Sequence, residues 1–230
     1  MARTPSQLRM RTATPGDAPR IAEIHMAAFG SNAMLHAQFR APVIRRGLQI
    51  SIENKALADI EDPKVTVLVV TYCDGHQSDS DIVIAFAKWS HPISPGENYD
   101  EPPWIWPDGT DLDTLDAWTR LTTEIESNIM GNNPRYRLTF IGTDPAYGRR
   151  GAGCLLVQWG VKQANASGSS LYLESTVEAA PLYKKNGFNQ GMEISLPICL
   201  IGKDGQSTAH LYKEIAFTYV PPCAANTALP

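Results

Sequence analysis

Cysteine is scarce in this chain and never clustered. The four in 230 residues, Cys73, Cys154, Cys199 and Cys223, form no CxxC pair. That speaks against a disulfide frame or a thiolate zinc site and for reduced thiols. No stretch approaches the ~18 apolar residues of a membrane span. No apolar run follows the basic residues of MARTPSQLRMRT, so no secretory leader is expected, and a cytoplasmic protein without membrane partners is. Positive charge is not in excess either. A formal net charge of −4 argues against a nucleic-acid partner, which calls for a basic face. The GxSxG elbow of hydrolases and the HExxH zinc pair are both missing, so no metal site is expected. No internal repeat is visible.

What is present suits an ordinary globular chain, 43% hydrophobic and 19% charged. The spacing of elements predicts one domain over residues 1–222 and a flexible tail over 223–230. Leu8 to Ala13 reads as a short strand. Thr14, Pro15 and Asp17 read as a helix start, followed by an apolar face at Ile21, Ile24, Ala28 and Phe29. A weaker helical stretch covers Met34 to Asp59. Lys64 to Cys73, built around VTVLVV, and Asp81 to Trp89 read as a hairpin across the polar turn at 74–81. Strands are also expected at Tyr136–Thr143, Ser170–Thr176, Gly191–Ile198 and Leu211–Val220. Helices are expected at Leu112–Met130, Gly151–Ala166 and Ala179–Asn186, the last stopped by Gly187. The final strands could pair within one chain or between two, which allows a homodimer.

One segment differs from its neighbours. HPISPGENYDEPPWIWPDGT, His91 to Thr110, carries five prolines and two tryptophans, so it reads as loop. With the helix after it, it forms an insertion over 91–133. Trp104 and Trp106 either anchor this loop to the body or line a substrate cleft. The anchoring reading is preferred.

The stretch TDPAYGRRGAGCLLVQWG, Thr143 to Gly160, sets a glycine-rich turn with two arginines before a helix. The first amides of a helix lack internal partners and carry the positive end of its dipole. Glycines let an anion approach them, and arginines add charge, so a phosphate or pyrophosphate suits the turn. It is not a nucleotide P-loop, which needs GxxxxGK[ST]. Nor is it the dinucleotide GxGxxG, since Leu156 stands where the third glycine would. The alternative is a tight strand-to-helix turn with solvated arginines.

Followed some thirty residues later by PLYKKNGF, this stretch resembles the GNAT superfamily of acetyl-CoA-dependent N-acyltransferases, and small fungal GNAT-like proteins in particular. The resemblance covers most of Leu8 to Pro222. It departs at Gly148, where the family usually has glutamine or arginine. It implies an α/β (α+β) fold whose central mixed, mostly antiparallel sheet is flanked by helices. It also implies direct transfer of an acetyl group from acetyl-CoA to an amine, a small-molecule acceptor being the default. Amides of Ile141, Gly142 and Thr143 would then pair with the pantetheine arm. Amides of Arg149, Arg150, Gly151, Ala152, Gly153 and Cys154 would take the pyrophosphate. Tyr183 would protonate the departing thiolate. For the general base Glu174 stands first, on the same strand face as Tyr172, ahead of Glu124, Glu126 and His91. Cys154 reads as a packing thiol rather than a nucleophile. Two other readings stay open. One is a fold without transferase activity, serving as CoA sensor or structural partner. The other is a specialised-metabolite enzyme using another acyl group or reaction.

Overall fold

A computed structural model describes residues 7–73, 81–202 and 205–222. The expected turn at 74–81 (but for Asp81), the tail at 223–230 and Cys223 lie outside them. The strands are β1 (Gln7–Thr12), β2 (Val65–Cys73), β3 (Ile82–Ser90), β4 (Arg135–Thr143), β5 (Ser170–Thr176), β6 (Asn189–Ile201) and β7 (Ser207–Tyr219). The helices are α1 (Ala18–Ala28), α2 (Ala33–Gln38), α3 (Pro42–Glu61), α4 (Leu112–Met130), α5 (Ala152–Ser167) and α6 (Ala180–Lys185).

All seven strands join one sheet in the order β1-β2-β3-β4-β5-β7-β6. Every pairing is antiparallel except β4 with β5. The run VTVLVV is apolar at both phases because β2 is covered on both sides. Val67 and Val69 pack under α1 and α3, while Leu68 and Val70 face the core of α5. On the α5 side, Trp89 is fully buried and donates from Nε1 to the Leu156 carbonyl at 3.3 Å. The close approach of α5 requires Gly160, where a Cβ would stand 2.3 Å from the indole.

Two expectations from sequence are corrected. Met34 to Asp59 is not one weak helix but two, α2 and α3. Pro42 starts the second, since it lacks an amide proton to bond backwards and suits a first-turn position. The last two strands run longer than expected and pair with each other as a hairpin within the chain. Their outer parts carry exposed residues on both phases, so no alternation marks their ends. Pro197 is tolerated because β6 is an edge strand.

The Pro/Trp-rich segment 91–111 is a strap fastened to α3 and its end. Tyr99 donates to Asp62 at 2.7 Å, Lys64 pairs with Glu97, and Ser51 donates to the Ile105 carbonyl. Beneath it lies a buried ion cluster. Lys88 sits 2.9 Å from Asp59 and 2.6 Å from Glu101, and Lys55 pairs with both carboxylates. No helix among the described residues is long and apolar enough to cross a membrane.

Candidate active site

The parallel partners β4 and β5 stay together only from Arg135↔Ser170 to Leu138↔Leu173. Beyond that β4 follows β3, and β5 follows β7, so the two part company. The divergence coincides with a bulge in β4. Lys88 pairs with Phe140 and Trp89 with Leu138, which leaves Thr139 as the extra residue and bends the strand. From Thr139 to Thr143 one edge of β4 therefore faces a gap. Gly142 is required there by close packing, because a Cβ would meet Phe86 at 2.8 Å.

The gap opens at one end onto the glycine-rich turn. Asp144 accepts from the Ala146 amide and pairs with Arg20, which fixes the chain as it leaves β4. Arg149 and Gly151 both adopt left-handed backbone, φ 64° and 96°. For an arginine this costs roughly 1 kcal/mol, the kind of strain that gathers at ligand sites. The first helical bond into α5 runs from Leu155 N–H to the Gly151 carbonyl. The amides ahead of it, at Ala152, Gly153 and Cys154, are the helix's unpaired donors. Among the described residues nothing lies within 4 Å of a Cβ built on Gly151, so an anion could reach them. Arg150 is held at the rim, its guanidinium 4.9 Å from the Tyr72 ring centroid and 5.8 Å from that of Tyr147. These features fit a pyrophosphate. Cys154 exchanges weak hydrogen bonds with Asn186, as a packing thiol would.

The other end of the gap opens into a cavity of about 460 Å³. Tyr183 reaches it from α6. Its ring is buried against Phe188 and Phe217, and burial holds its phenol protonated well above the ordinary range. Glu174 lines the same cavity from β5, with both carboxylate oxygens accepting from Arg137 Nη2 at 3.0 and 3.1 Å. Burial pushes this carboxyl up, and Arg137 pulls it back. Glu126 is buried in α4 and accepts from Arg135 at 2.8 Å, while Arg137 Nε lies 3.3 Å away. Glu124 is exposed. His91 bonds Thr66 at 2.8 Å and packs edge-on to Tyr136.

Sequence reasoning missed Glu214. It lies on β7 on the same face as Glu174, because Glu174 faces Ala216 and Thr176 faces Glu214 across the strand pair. Unlike Glu174 it has no cation in contact among the described residues. Tyr212 donates to it at 2.5 Å and itself accepts from Asn32 at 3.0 Å. Burial, with repulsion from Glu174, pushes the Glu214 carboxyl up to about 7. A signal existed: in LYKEIAF the polar Tyr212 and Glu214 share the phase of the buried Ala216.

The cavity's far wall is aromatic. Trp104 and Trp106 stack with centroids 4.6 Å apart and an interplanar angle of 1°. Phe39 packs on Trp106, and Phe140 meets Trp104 edge-on. The tryptophans thus anchor the strap and line the cleft at once. His25 completes this wall, and burial drives its pKa down to about 4, so it is neutral.

A seven-stranded sheet parted between its parallel strands, with a glycine-rich turn at one mouth of the gap, is the N-acetyltransferase fold implied by the two GNAT-like motifs. Solved structures bear out the fold. A histone acetyltransferase HPA2-related acetyltransferase of Corynebacterium glutamicum superposes with a TM-score of 0.55 at 18% identity, over 97% of this chain and 98% of its own. Mosquito arylalkylamine N-acetyltransferase-like 5b gives 0.56 at 14%, over 93% and 100%. An agmatine N-acetyltransferase variant gives 0.57 at 13%, over 93% and 99%. No protein-family model and no curated protein matches the sequence.

Proposed function

We propose that the protein is an N-acetyltransferase that moves an acetyl group from acetyl-CoA directly to the amine of a small molecule. The observation that carries this reading is the gap between β4 and β5, with unpaired helix amides at one mouth and Tyr183 at the other. The thioester supplies an activated acyl group. The free edge of Ile141, Gly142 and Thr143 would hydrogen-bond the pantetheine arm as an added strand. The amides from Arg149 to Cys154 and the Arg150 side chain would hold the pyrophosphate. Gly148 brings no side chain to this cradle, which leaves it to backbone and arginines. A cavity of about 460 Å³ roofed by the strap is the size of a small-ligand site rather than a protein-binding groove.

Two proton movements remain. The acceptor arrives as an ammonium and must lose a proton before attack. The sulfur must gain one as it leaves. Tyr183, kept protonated by burial, is assigned the second task. For the first, the two carboxylates divide the work. Glu174, tied to Arg137, fixes the charge and orientation of the site. Glu214, without a cation and near 7, accepts the proton. A base is most effective when its pKa lies close to the working pH.

Calorimetric titration with acetyl-CoA tests the reading, beside a variant carrying Arg150→Ala and Gly151→Asp. Saturable binding that the variant loses, followed by free thiol release with an amine, is expected. No binding of any acyl-CoA or of CoA would mean that the fold serves another use, with Gly148 the first place to look.

A further inference from the structure

The aromatic end of the cavity limits which amines it can take. Phe39, Trp104, Trp106 and Phe140 present flat apolar faces. Charge is unevenly provided along the same space. At the transfer end Glu214 is a carboxylate without a cation among the described residues. At the aromatic end the lining carboxylate, Glu101, is already shared between Lys55 and Lys88, and Lys55 Nζ lies 6.0 Å from the Trp104 ring. A second ammonium there would meet two lysines and no spare carboxylate.

We infer that the acceptor is a monoamine bearing an aromatic body, its ammonium beside Glu214 and its ring against Trp104 and Trp106. This rests on the transferase reading and narrows its substrate. A flat ring on an aromatic wall gains from offset stacking or edge contacts. A single cation matches the single open carboxylate. Polyamines and aminoglycosides bring further ammonium groups for which the aromatic end has no spare carboxylate.

The test is calorimetry on the whole protein, with and without CoA, using 2-phenylethylamine, n-butylamine, spermidine and kanamycin. 2-Phenylethylamine should bind about tenfold tighter than n-butylamine, the equivalent of one or two good aromatic contacts. Trp106→Leu keeps an apolar side chain under the strap and should cut that ratio to about threefold or less. Trp106→Ala serves as the second variant, removing the apolar surface that leucine keeps, with circular dichroism checking the fold of both. Tighter binding of spermidine or kanamycin overturns the inference, as does a ratio that survives in both variants. So does failure of every amine to bind while CoA does. Thiol release with spermidine as the best acceptor would sink the inference yet leave the transferase reading standing. Failure of acetyl-CoA itself to bind would sink the transferase reading.

Discussion

Replacing Glu214 with glutamine should make the protein more stable and less active, and only above neutral pH should the stability gain be large. Its carboxyl, ordinarily at 4.5, is pushed up to about 7 in the folded chain. Loss of water around it is the main cause. Glu174 on β5 adds repulsion, while Tyr212 on β7 and Arg137 on β4 pull the other way. Tyr183 faces it from α6. Because the folded value is the higher one, the fold binds this proton more tightly than the unfolded chain does. Stability from this group is therefore full below about 4.5, falls as pH rises, and levels off above about 7. At about 1.4 kcal/mol for each tenfold change in proton affinity, the loss amounts to roughly 3 kcal/mol. Glutamine still accepts from Tyr212 but carries no charge, so it escapes that loss. Urea unfolding at pH 5 and pH 8 should place the variant close to the wild type at pH 5. At pH 8 it should be more stable by about 2–3 kcal/mol, with an unchanged m-value. Acetyl transfer should fall about 10²- to 10⁴-fold, the span associated with a positioned general base. An equal stability difference at both pH values, or a less stable variant at pH 8, would refute the argument that Glu214 is held charged at a cost.

Three further changes probe other parts of the same design. Tyr183→Phe removes the proposed proton donor but keeps the ring against Phe188 and Phe217, so kcat should fall about 10²-fold or more with KM nearly unchanged and the melting temperature close to wild type. Asp59→Asn leaves two buried lysines with only half-exposed Glu101 between them, which should cost about 3–5 kcal/mol in chemical unfolding. Gly160→Ala drives a methyl to 2.3 Å from the buried Trp89 ring, so α5 must shift. A loss of about 1–3 kcal/mol is expected, with a change in tryptophan emission, and an unaltered melting curve would contradict the packing described.

Much of this was legible in the sequence, and the exceptions have physical reasons. VTVLVV and YRLTFIGT announce strands because their residues favour the pleated backbone, and Gly148 to Gly153 announce a turn built for close approach. The helix α3 was hard to read because its buried face holds Ser51, Lys55 and Asp59 among Leu48, Ile52 and Ala56. The spacing is helical, but hydrophobicity cannot register it when ions fill the inward positions. The strap's partners were equally hidden, since an ion pair between Glu101 and Lys55 leaves no periodic trace. Glu214 escaped notice for a related reason. A lone carboxylate in a strand reads as solvent-facing until Tyr212, Asn32 and the facing β5 are seen around it.

The strap is held at intervals, at Glu97, Tyr99, Glu101 and the Ile105 carbonyl, and the ties run to α3, to the residues just after it and, through Glu101, to Lys88 on β3. None of these ties involves the tryptophan rings that face the cavity. The wall proposed to meet the acceptor and the polar ties of the strap are thus carried by different residues of one short segment. Exchanging Trp104 or Trp106 would leave these polar ties in place while removing packing against Phe39 and Phe140. In such an arrangement, a new acceptor requires changes at two positions rather than a new fold.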